Sequence, residues 1–132
     1  MYRSFLITGA LFGALGIALG AFGAHGLQNV TQDEKILHGF QTAVQYQVYH
    51  ALALLITGIL YERISHRWMK WAGNCFITGI LLFSGSLYCL TWLKIEGSSL
   101  TKIAGPVTPL GGVFFIAGWL LLLAGVAKKR SL

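Results

Sequence analysis

Glycine stands at positions 9, 13, 16, 20 and 23, inside a run from residue 4 to residue 24 that contains no charged side chain. The spacing is 4-3-4-3, the two-turn repeat that keeps one seam of a helix facing a neighbour. Twenty-one residues at about 1.5 Å each cross a hydrocarbon layer of about 30 Å. The run therefore predicts a membrane helix with a backbone-exposing seam, because small residues let two helices in lipid approach closely.

Comparable charge-free windows recur at 43–61, 71–93 and 105–127. Only 11% of the residues are charged, against about 25% in soluble domains, and those few cluster between the windows. The chain of 132 residues leaves no room for a separate soluble domain beside four spans. The fold class expected is an all-α membrane protein, a bundle of four transmembrane helices in one integral domain over 1–132. The spans are placed at approximately 4–26, 41–61, 70–93 and 107–127.

A net charge of +6 raises the question of nucleic acid. The cations form no dense basic stripe, however; they flank the spans. Arg3, Arg63, Arg67, Lys70, Lys128, Lys129 and Arg130 fall at one end, and Lys35, Lys94 and Lys102 at the other. Seven against three predicts that both termini are cytoplasmic. No nucleic-acid partner is expected; the lipid bilayer is. The first run has some features of a secretory leader, but it exceeds the 7–15 apolar residues usual there, so it is read as a retained span.

Small residues repeat every seven positions in the other spans too: Ala51 and Gly58, then Ala72, Gly79 and Ser86, then Gly111, Gly118 and Gly125. This fits helices crossing at about 20°. Between the first two spans, Thr31 with Glu34 reads as a capping box and predicts a helix from Gln32. Whether that helix runs through Gly39 into the second span is left open. Thr108-Pro109 reads as the capped start of the fourth span. Cys75 and Cys89 are 14 residues apart on one helix, about 21 Å, and cannot bridge each other.

Polar residues inside a span are costly and so informative. The second span crowds them into its first half. His38, Thr42, Gln45 and Tyr49 share a sector of about 60°, and Tyr46 and His50 widen it to roughly 120°. With His25 at the top of the first span, these residues form a candidate polar cavity for a small ligand or a proton. The competing reading is a set of interhelical hydrogen bonds, which the absence of an intramembrane carboxylate favours. His25, His38 and His50 are metal-ligand types, but 12 residues separate the last two and no His-x-x-x-His pair exists, so no metal is assigned. Trp119, near the middle of the fourth span, is read as core, with an indole N–H that needs a partner. No acid–base carboxylate pair, nucleophile elbow or phosphate loop is present, so neither an enzyme nor a cofactor is expected.

Three stretches carry a resemblance: Gly20-Ala-Phe-Gly-Ala-His-Gly-Leu27, Tyr49-His50-Ala-Leu-Ala-Leu-Leu55, and Thr108-Pro-Leu-Gly-Gly112 followed by Gly118-Trp119. In this order, over essentially the whole chain, they resemble the YgdD-like family of small bacterial membrane proteins, which carry a domain of unknown function. The resemblance implies a multi-pass inner-membrane protein of about four helices and supplies no catalytic residues. The function expected is a structural or interaction role through helix–helix and lipid contacts, with homo-oligomerisation or other membrane proteins as partners. The alternative is a small-solute or proton-linked carrier using the polar stripe of the second helix.

Overall fold

The computed structural model describes residues 1–64 and 66–128, so Lys129 and Arg130 of the basic C-terminal cluster lie outside the described residues. Helix α1 is Arg3–His25 and α2 is Glu34–Leu60. The third span is assembled from α3 (His66–Gly79), a five-residue π-helical turn (Ile80–Ser84) and α4 (Gly85–Glu96). A short α5 (Thr101–Ala104) leads into α6 (Val107–Ala127). The described residues contain no strand, and four of these helical stretches are long and apolar enough to cross a membrane.

The helices alternate in direction. The end carrying His25, Asp33 and Glu96 is called upper here, and the end carrying Tyr2, Leu60 and Ala127 lower. Helix α1 packs chiefly on α2, α2 also packs on the third span, and α6 packs chiefly on α3 and the π turn. The outer faces of α1 (Ile7, Leu11, Leu15, Ile17) and α6 (Val113, Ile116, Leu120, Leu123) are left exposed and wholly apolar. A water-soluble monomer rarely shows such surfaces, whereas a chain surrounded by lipid presents them by default.

Close approach comes from aromatic rings set against glycines. A Cβ added at Gly23 would meet the Phe40 ring at 2.7 Å, and one at Gly73 would overlap the Phe5 ring. Between α3 and α6 the arrangement is reciprocal: Phe76 lies on Gly118, and Phe115 on Gly79. Gly9 and Gly16 face Leu55 and Val48 of α2, and Gly20 faces Val44, while a Cβ at Gly13 would meet nothing within 4 Å. Gly125 backs onto Met69. Gly111 differs in kind. Its added Cβ would stand 2.3 Å from the backbone nitrogen of Phe83, so here main chain meets main chain.

Three local readings change. Helix α2 begins at Glu34, not Gln32, and Thr31 does not close a capping box. The Thr31 hydroxyl accepts from Asp33 N (3.2 Å), and the Asp33 carboxylate caps the helix by accepting from Lys35 N at 2.9 Å. A carboxylate in that position also suits the positive end of the helix dipole. The helix continues through Gly39. Helix α6 begins at Val107, with Pro109 inside its first turn, where a missing N–H is still harmless. Thr108 does not cap it; its hydroxyl pairs instead with Ser86 of α4. The π turn had no local signature. At its end Gly85 N donates to Ile80 O, five residues back. Helix α4 stops at Gly97, whose left-handed φ of 68° lets Ser98 N reach back to Leu93 O at 2.9 Å.

Candidate functional site

The buried polar side chains of the second span are all engaged. His50 is 6% exposed. Its Nδ1 lies 2.7 Å from the carbonyl of Tyr46, one turn back. A carbonyl only accepts, so Nδ1 carries the proton and Nε2 is bare. Nε2 accepts from the indole N–H of Trp119, 3.0 Å away on α6. The imidazole is thus a neutral ring with both nitrogens used. It stacks on Phe115 with centroids 3.6 Å apart and planes within 9°. Phe76 and Trp119 close its edges at 5.7 and 5.9 Å.

Gln47, one turn before His50 on α2, performs the same service toward α1 and α4. Its Nε2 donates to the Phe12 carbonyl of α1 at 2.8 Å, and its Oε1 accepts from the Tyr88 hydroxyl of α4 at 2.6 Å. One amide therefore joins the first three spans. In the π turn, Ser84 donates to Ala43 O of α2 at 2.7 Å. The wider turn is what brings this hydroxyl, and the Phe83 backbone facing Gly111, to their neighbours.

The other candidates sit elsewhere. His25 and His38 are exposed at the upper end, and among the described residues no hydrogen bond, ion pair or ring contact joins either to the rest. Tyr46 is 39% exposed and stacks on Phe83 (4.8 Å, 19°). Tyr49 is 55% exposed, its ring 6.0 Å from that of Tyr46. The structure thus brings Tyr46, Tyr49 and His50 into one aromatic group. Among the described residues no group of three or more metal-ligating side chains comes together.

Gln45 belongs to a different place, a groove of about 390 Å³ between the upper ends of α1 and α2. Helix α1 lines it with the small residues Gly20, Gly23 and Ala24. Helix α2 gives Phe40 and Val44 as an apolar floor, with Gln41 and Gln45 beside them, and Gln28 of the turn Leu27–Asn29 stands at its mouth. Sequence reading passed over Gln28 and Gln41 as site residues, and Gln47 and Trp119 as fasteners. The signal within reach was the mid-span indole N–H of Trp119, which had to have an acceptor.

Residues 19–112 match the family described as "Protein of unknown function (DUF423)". The chain is 44% identical over 126 residues to the UPF0382 membrane protein SAB0533 of Staphylococcus aureus (strain bovine RF122 / ET3-1), covering 96% of this chain and 97% of the relative. It is 42% identical over 127 residues to the UPF0382 membrane protein YwdK of Bacillus subtilis (strain 168), covering 96% and 98%. It is 40% identical over 128 residues to the UPF0382 inner membrane protein YgdD of Escherichia coli (strain K12), covering 97% and 92%. No solved structure is significantly similar to it. With near-complete coverage on both sides and the expected helices in place, the chain belongs to this uncharacterised family of membrane proteins, the DUF423 or UPF0382 family that includes YgdD.

Proposed function

We propose that the protein is a non-enzymatic structural or interaction component of the bacterial inner membrane, acting through helix–helix and lipid contacts. The observation that carries this reading is the pairing of its buried polar atoms. Among the described residues, every buried side-chain nitrogen or oxygen has a hydrogen-bond partner. His50, the residue best suited to proton chemistry, has both nitrogens committed, one face stacked on Phe115, and Phe76 and Trp119 at its edges. The bonds among them that cross between helices, from Trp119 to His50, Gln47 to Phe12 O, Tyr88 to Gln47 and Ser84 to Ala43 O, fix helices against one another, and each contributes about 0.6–2 kcal/mol in lipid.

The glycine seams belong to the same reading. Gly9, Gly16 and Gly23 give α1 a backbone face for α2, and Gly111, Gly118 and Gly125 do so for α6 against the third span. Gly13, uncovered on α1, leaves room for a helix of a second copy. Arg3, Arg63, Arg67, Lys70 and Lys128 all sit at the lower end, which supports cytoplasmic termini. Cross-linking in native membranes tests the self-association. A dimer or higher band that Gly13→Leu abolishes is expected. Recovery of monomer alone contradicts it. Tags on the two termini should both be shielded from impermeant reagents in intact cells, and labelling of either overturns the orientation.

A further inference from the structure

The upper groove is unlike the rest of the lipid-facing surface. Its lining carries no charged side chain and three glutamine amides, from Gln28, Gln41 and Gln45. Among the described residues none of these side chains has a hydrogen-bond partner, in contrast to Gln47 on the buried side of the same helix. Gln45 lies 15 residues before Leu60, so it stands about 22 Å above the lower end of α2, inside an apolar layer of about 30 Å. Gln41 is one turn higher, near the boundary. Amides at this depth demand partners that hydrocarbon cannot give. The volume of about 390 Å³ falls within the range of small-molecule sites, about 300–1,000 Å³.

We infer that this groove is a binding site for an uncharged, hydroxyl- and ester-bearing head group, that of a neutral glycerolipid. The amides supply both donors and acceptors, which match hydroxyl and ester oxygens. Phe40 and Val44 form the apolar wall against which the glycerol backbone and the first chain methylenes lie. Phosphate is disfavoured, because no cation lines the groove to offset its charge. The site opens between α1 and α2, so an amphiphile enters sideways from the bilayer while a free polyol enters from above. The inference is independent of the structural role proposed above, and its failure leaves that reading standing.

The test is native mass spectrometry of the full chain in a non-ionic detergent, titrated with dioleoylglycerol and, separately, with dioleoyl phosphatidic acid. One dioleoylglycerol adduct per protomer is expected, at lower concentration than any phosphatidic acid adduct. Gln41→Leu with Gln45→Leu should weaken it by about tenfold or more. Ala24→Leu, which fills the groove from an exposed position, should do the same with an unchanged unfolding midpoint. Free glycerol is added as a competitor. Displacement assigns the site to a soluble polyol of the same chemistry, and no displacement assigns it to the lipid. Absence of an adduct, preference for phosphatidic acid, or variants that bind as well as the wild type would overturn the inference.

Discussion

Gly111→Ala is the substitution this fold tolerates least for its size. The new methyl would stand 2.3 Å from Phe83 N and 2.7 Å from Phe83 Cα. Normal carbon contacts are about 3.5–4.0 Å, so α6 and the π turn must part by about 1 Å. A side chain could rotate away, but a backbone cannot. A radial gap of 0.5–1 Å forfeits roughly a quarter to a half of each contact it opens. The parting runs along the face where Phe115 lies on Gly79 and Phe76 on Gly118, and it pulls on the Ser86–Thr108 hydrogen bond. Overpacking ordinarily costs about 1–3 kcal/mol, and here the upper figure applies, about 3 kcal/mol. Gly13→Ala makes the same chemical change where nothing lies within 4 Å. It should stabilise by about 0.5–1 kcal/mol, the ordinary helix advantage of alanine over glycine. The two variants should therefore differ by nearly 4 kcal/mol and in opposite directions from the wild type. Reversible unfolding in mixed micelles titrated with dodecyl sulfate, followed by tryptophan fluorescence, measures both. Variants within about 0.5 kcal/mol of each other would refute the reasoning.

Gly16→Leu should disrupt the α1–α2 contact by about 3 kcal/mol or more, because its Cβ alone would stand 2.8 Å from Val48 and the longer side chain reaches the Gln47 amide. Leu15→Ala, on the exposed face, should change stability by less than about 0.5 kcal/mol in the same titration. Gln47→Leu leaves the Tyr88 hydroxyl without its acceptor and should cost about 1–2 kcal/mol, most of it recovered when Tyr88→Phe is added. Gly97→Ala forces an L side chain to φ 68° and should cost about 1–2 kcal/mol, read as earlier hydrogen exchange at the top of α4.

Four spans were legible in the sequence because length and absence of charge decide them, and both are local properties. The π turn was not. Ile-Leu-Leu-Phe-Ser reads as ordinary helix, and only the backbone contact at Gly111 and the Ser84 bond to Ala43 O distinguish it. Asp33 and not Thr31 is the cap because the chain is still extended at Asp33 and turns helical only at Glu34, a backbone detail that a motif pattern does not carry. The polar half of α2 illustrates the main limit. Gln45 and Gln47 are the same residue type two positions apart, so they point to nearly opposite sides of the helix. One faces a groove and the other joins three spans, and which is which depends on where α1 and α4 lie. In the same way His50 was visible as an intramembrane histidine, while its partner Trp119 is 69 positions away.

A double-mutant cycle between His50 and Trp119 bears most directly on whether the intramembrane histidine is a fastener between helices. His50→Phe keeps the ring stacked on Phe115, and Trp119→Phe removes the indole donor, so each change breaks the one bond at 3.0 Å. Unfolding free energies of the wild type, both single variants and the double variant should give a coupling of about 0.6–1.7 kcal/mol. Strict additivity, within about 0.3 kcal/mol, would mean that the two side chains do not hold α2 to α6 and that His50 is free for other chemistry.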